Sequence, residues 1–148
     1  MSLKVELLEQ SFDRIRPRLD EFTDSLYSNV LSDYPQTRFL FAKTNMTHQK
    51  KMLGNALLLV VENLRQPEVL EKSLKELGGR HVKYGTVPEY YSWIGEALLK
   101  TFESYLGSDW TPEVKQAWVD AYGAIAKFML SGSENSTAAE TRVRTALS

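Results

Sequence analysis

Leu77-Gly78-Gly79-Arg80-His81-Val82-Lys83-Tyr84-Gly85, running on into Val87-Pro88-Glu89-Tyr90-Tyr91, is the stretch on which the reading of this chain turns. Paired glycines supply the left-handed residue that commonly ends a helix. A proline is tolerated in a helix's first turn, where its missing N–H has no intrahelical partner. The pattern therefore predicts a helix ending at Gly78-Gly79, a short bounded segment, and a new helix from Pro88. The segment carries His81, one of two histidines in the chain. Imidazole is the commonest metal ligand among side chains, yet a lone histidine is more often a satisfied core or surface residue. Its surroundings have to decide.

Working outward, every flank reads as helix. Pro67 starts the helix before the segment, with Val69, Leu70, Leu74 and Leu77 expected inside. Ahead of it, Thr47 is the expected N-cap of a long helix. Gln49, Leu53, Leu57, Val60, Val61 and Leu64 give that helix a broad apolar face with one amide near its start. Residues 42–46 are polar and read as a loop, and Pro35 opens a short helical piece with Phe39 and Phe41. Leu8, Phe12 and Ile15 mark one face of a first helix, which Pro17 interrupts. Leu19, Phe22, Leu26 and Val30 form the stripe of the second, with Tyr27 beside it.

Downstream, Tyr91, Ile94, Leu98, Phe102 and Leu106 share a face of the helix that Pro88 opens. Gly107-Ser108-Asp109 is a turn. Thr111-Pro112-Glu113 is a cap, a first-turn proline and a first-turn acid that complements the helix dipole. Val114, Trp118, Ala121, Ile125 and Phe128 are the inward face of the last helix, which Gly132 ends. Residues 133–148 are polar and weakly patterned. The expectation is an all-α domain over residues 1–132, built from about seven helices, followed by a tail over 133–148.

Composition excludes much else. The 148 residues suffice for one domain with a sizeable core, and 18 basic against 19 acidic residues leave a net charge of -1. No basic face is dense enough to track nucleic-acid phosphates. There are no cysteines, which excludes disulfides, thiol catalysis and thiolate-bound metals and suits a reducing compartment. The N-terminus mixes Lys4, Glu6 and Glu9 with apolar residues and lacks a signal pattern. The expectation is a cytoplasmic protein without a membrane span. No phosphate-cradling glycine loop, metal-spaced histidine pair or sequence-visible triad is present.

A haem needs an axial ligand, a flat apolar slot and a distal side whose polarity governs what binds the iron. His81 is the natural ligand: one nitrogen coordinates while the other donates a hydrogen bond that orients the ring. Tyr27 and Gln49 are the distal candidates, a phenol and an amide able to donate to an iron-bound gas. Each has a plainer alternative, a rim tyrosine and an exposed first-turn glutamine. Phe41 is either a wall stacked on the porphyrin or simple core. Leu53, one turn after Gln49, would fill the distal pocket. His48 should point about 100° away from Gln49 around the helix and lie at the surface. A rotated or late-starting helix would instead bring it inward as an alternative distal ligand.

These pieces together resemble a bacterial globin, more closely the haem domain of flavohaemoglobins and their single-domain relatives. The carrying residues are Tyr34-Pro35 through Phe39-Leu40-Phe41, Gln49 ahead of Leu53, Arg80-His81 followed by Val87-Pro88-Glu89-Tyr90-Tyr91, Gly95-Glu96-Ala97-Leu98-Leu99, and Ala117-Trp118 with Ala121-Tyr122-Gly123. Their order and spacing carry the likeness from about Leu8 to Leu130. The resemblance implies a three-over-three helical sandwich binding haem b, with His81 proximal, Tyr27 and Gln49 distal, Phe41 and Leu53 lining the pocket, and Tyr91 near the proximal histidine. Two departures stand out. The glutamate that joins that tyrosine and histidine in flavohaemoglobins falls where this chain has Ser133, Glu134 and Asn135. The loop before Gln49 is shorter.

The function this implies is reversible binding of O2, NO or CO at haem, extending to NO dioxygenation. No flavin or nicotinamide domain lies within the 148 residues, so reduction of the iron is expected from a separate reductase. A haem-based gas or redox sensor signalling to a partner protein is the alternative. Trp93 and Tyr90 read either as surface aromatics at a homodimer contact or as ordinary packing.

Overall fold

A computed structural model of the chain describes residues 4–83 and 88–131. Among these are seven α-helices and no strand: α1 (Val5–Ile15), α2 (Leu19–Asp33), α3 (Thr37–Leu40), α4 (Met46–Glu62), α5 (Pro67–Lys83), α6 (Pro88–Leu106) and α7 (Pro112–Ser131). A 3-10 turn, Arg16–Arg18, carries Pro17 and bends the chain from α1 into α2. A second, Gly107–Asp109, joins α6 to α7, and Gly107 takes φ +53°, where a side chain would strain. Tyr84 to Val87, Gly132 and the tail expected over 133–148 lie outside the described residues.

The helices form two layers of three, α1, α4 and α5 across from α2, α6 and α7. Between the layers α5 packs on α7, α2 on α4, and α1 on both α6 and α7. The apolar stripes explain this arrangement. Phe22, Leu26 and Val30 of α2, Leu98 and Phe102 of α6, and Ala117 and Trp118 of α7 are buried in one core with Leu8, Phe12 and Ile15 of α1. The ring of Phe102 lies at its centre, 4.9 Å from Phe22 and 4.4 Å from Trp118. Each such side chain contributes about 1.5–3 kcal/mol on removal from water. Buried polar groups are partnered. Trp118 Nε1 donates to Ser11 Oγ at 2.8 Å, and Asn29 on α2 donates to Thr101 on α6 at 3.0 Å.

Three expectations are corrected. Gly78-Gly79 do not end a helix: α5 runs through them and on past His81. The missing Cβ serves packing instead, since one built on Gly78 would sit 1.7 Å from the Met129 carbonyl oxygen of α7. The N-cap of α4 is Asn45 rather than Thr47, its side chain accepting the His48 N–H at 3.1 Å. Val69 is 46% exposed, because the buried face of α5 is carried by Leu70 and Leu74. Trp93 stacks between Tyr34 and Tyr90, at 5.7 and 5.5 Å.

Gly78→Ala should therefore destabilise the fold by about 3 kcal/mol, at the upper end of overpacking costs. Gly123→Ala, where an added Cβ meets nothing within 4 Å, should stabilise it by about 0.5–1 kcal/mol through helix propensity. Urea unfolding of both variants checks the contrast.

Candidate functional site

The site grows from the α2–α4 contact. Tyr27 comes off the buried face of α2 beside Leu26 and Val30 and is only 3% exposed. Gln49 lies in the first turn of α4. Its orientation follows from the Asn45 cap: with the helix beginning at Met46, Gln49 faces α2 and His48, one residue earlier, is exposed. Gln49 Nε2 donates to the Tyr27 hydroxyl oxygen at 3.0 Å. Phe41, at the C-terminal end of α3, meets the Tyr27 ring edge-on, with centroids 5.7 Å apart and planes at 88°. Leu53, one turn beyond Gln49, packs half-buried against the core.

The chemistry of this cluster is that of a hydrogen-bond donor. Burial pushes the Tyr27 phenol above its ordinary pKa, and the Gln49 hydrogen bond only partly opposes this. The phenol is thus neutral and keeps its proton. Its oxygen already accepts from Gln49, and among the described residues no acceptor takes its O–H. A buried phenol with an unspent proton, polarised by an amide and flanked by the Phe41 ring, suits the distal side of a haem that holds a small polar ligand.

On the opposite side the described geometry is partial. His81 lies in the last turn of α5, three residues after Gly78; its side chain is outside the described part. Tyr91, in the first turns of α6, is 8% exposed, and burial pushes its phenol up to about 12. The Tyr122 hydroxyl of α7 donates to the Tyr91 backbone carbonyl. Burial, with the nearby Tyr91 and Tyr27, raises the Tyr122 phenol as well. The Tyr122 ring reaches this position because Gly95 has no Cβ; one built there would fall 2.6 Å from the ring. Tyr122 and Gly95 had no structural role assigned from the sequence, and Gly78 had a different one. The one local signal was a glycine set inside a strongly periodic helix, which marks a close approach.

Among the described residues no group of three His, Cys, Asp or Glu is placed to hold a metal ion. No described helix is long and apolar enough to cross a membrane.

Comparison with known proteins matches the globin family over residues 24–129. The chain is 29% identical over 124 residues to a flavohemoprotein of Bacillus subtilis, covering 82% of this chain and 31% of that protein. It therefore spans about a third of the length of the flavohemoproteins it matches. It is 28% identical to an uncharacterized globin-like protein of Aquifex aeolicus, over 86% of this chain and 89% of that one. Among solved structures, a Pseudomonas aeruginosa protein described as structurally highly homologous to a human hemoglobin superposes with a TM-score of 0.74 at 28% identity, over 86% of this chain and 96% of the other.

The three raised phenols have a measurable consequence. Folding holds each proton that the unfolded chain would release near pH 10. The stability they contribute is complete below that pH and is lost as pH rises through the folded value, about 12 for Tyr91. Titration followed by tyrosinate absorbance should show at least three of the seven tyrosines ionising late, cooperatively with unfolding. Tyr27→Phe should remove one of them.

Proposed function

Because this chain belongs to the globin family, in which haem binding is implied, we propose that it holds haem b and reversibly binds O2 and other diatomic gases, and that with a separate reductase it oxidises NO to nitrate. Haem b needs no thioether link, in keeping with a chain that has no cysteine; that absence also suits the cytoplasm, where we place the protein. The iron would supply reversible coordination of the gas. The observation that carries the reading is the Tyr27–Gln49 pair, with its unspent phenol proton.

The residues divide the work by side. His81 would hold the iron, and Tyr91, the tyrosine that the resemblance sets near that histidine, would support it. On the distal side Tyr27 would donate its O–H to a bound gas, while Gln49, which donates to the phenol oxygen, orients the phenol and strengthens it as a donor. Phe41 and Leu53 keep the pocket apolar, so that these hydrogen bonds act in a low dielectric. His48, exposed on the outer face of α4, takes no part. Strong donation to bound O2 slows its release, which favours reaction over delivery. Converting one NO and one O2 to nitrate consumes one electron, and the external reductase provides it.

The test is an absorption spectrum of protein produced with haem supplied, oxidised and reduced, with and without CO. A ferrous spectrum that shifts with CO, is abolished in His81→Ala and persists in His48→Ala, is the expected result. Absence of haem bands from the parent chain would overturn the reading. Tyr27→Phe should speed O2 dissociation by about 10- to 100-fold, the equivalent of one hydrogen bond to a charged partner, as stopped-flow replacement of O2 by CO would show.

A further inference from the structure

All 19 acidic residues of the chain lie outside residues 34–61, whereas Arg38, Lys43, Lys50 and Lys51 fall inside that segment. The acids that flank it are already engaged. Asp24 pairs with Lys50 at 3.1 Å, Asp33 with Lys100 at 2.9 Å, and Glu62 lies 3.7 Å from Arg16. Arg38, Lys43 and Lys51 are exposed and, among the described residues, pair with no carboxylate. In the same segment, next to Arg38 in sequence, Phe39 is 87% exposed, the most exposed large apolar side chain described. Its neighbours in α3 give no reason for this: Phe41 turns inward onto Tyr27, while Phe39 faces solvent. An accessible aromatic ring on a segment that carries one sign of charge is the composition of a protein-docking surface, the ring as anchor and the cations as guides for encounter.

We propose that α3, the turn after it and the first two turns of α4 form the docking face for an acidic protein that donates one electron to the haem. The proposal rests on the haem reading above and names the partner it requires. The same short segment carries Phe41 and Gln49, so a donor seated on Phe39 lies beside the candidate pocket. The electron leaves the reduced donor, which is oxidised by one equivalent, and the ferric iron becomes ferrous; no bond is made or broken. An acidic protein fits better than an anionic membrane. One cation and one ring on the four-residue α3, with Lys43 and Lys51 beyond it, offer neither the apolar face of an interfacial helix nor the dense polybasic cluster that holds a lipid surface.

The probe is a flavodoxin, an acidic one-electron flavoprotein. Reduction of the ferric, haem-loaded chain by reduced flavodoxin is followed by stopped flow across a range of salt, for the parent, the triple variant R38E/K43E/K51E, and Phe39→Ser. In parallel, binding of labelled oxidised flavodoxin to each purified chain is measured by anisotropy, which requires neither electron transfer nor haem. The triple variant should react about tenfold or more slowly at low salt, and the gap should close as salt shortens the screening length. Phe39→Ser should weaken binding without changing its salt dependence, and CO binding to the chemically reduced protein should be the same in all three chains. Missing haem bands would remove the gas-binding reading, while anisotropy would still decide the surface. Equal binding by parent and triple variant, no binding by the parent, or binding of the parent to phosphatidylserine vesicles in place of flavodoxin would each overturn the proposal.

Discussion

The backbone contact between α5 and α7 at Gly78 is the constraint on which the rest of the structure depends. A single methyl group there would overlap the Met129 carbonyl, so the two helices cross as closely as two backbones can. A glycine inside a helix costs about 1 kcal/mol relative to alanine, and the contact of two helices along their buried faces offsets it. The close crossing anchors α5 one turn before His81. It also brings α7 near enough for Tyr122 to reach the Tyr91 carbonyl over Gly95. Two glycines, both inside helices, thus tie three helices together on the side of the molecule where His81 lies.

The opposite side is built on different physics. There the α2–α4 contact holds a phenol and an amide whose bond to each other leaves the phenol's proton available. Desolvation keeps that proton on the oxygen. The two sides meet in the electrostatics, since Tyr27, Tyr91 and Tyr122 are near enough for the first two to influence the third. Burial favours the neutral form of all three, and whereas Tyr122 spends its proton on the Tyr91 carbonyl, Tyr27 keeps its own available.

Much of this was legible in the sequence, for reasons that differ by residue. Helix stripes such as Phe22, Leu26 and Val30 are local patterns, and the structure buries them as read. Pro67, Pro88 and Pro112 all open helices as their chemistry dictates. The glycines were not legible in the same way, because the letter is the same whether the chain uses the freedom of φ, as at Gly107, or the absence of Cβ, as at Gly78 and Gly95. The choice depends on which helix passes overhead, a tertiary fact. Asn45 and Thr47 are both good capping residues two positions apart, and periodicity does not resolve a helix start to two residues. Tyr27 and Gln49 were each ambiguous alone; their pairing depends on how α2 meets α4. The role of Tyr122 had no local signature at all.

The asparagine cap at the head of α4 has a consequence of its own. It acts as a phase marker for the whole helix: the residue four places after it is the one presented to the phenol. At present that residue is an amide. The cap alone does not hold that phase. Gly54, Leu57, Val60 and Val61 further along the same helix are buried, and turning His48 or Lys50 into the place of Gln49 would rotate α4 by about 100° and carry those residues toward water. The amide is therefore kept on the phenol by apolar side chains roughly two to three turns away, and a substitution there would be felt at Tyr27 without touching it.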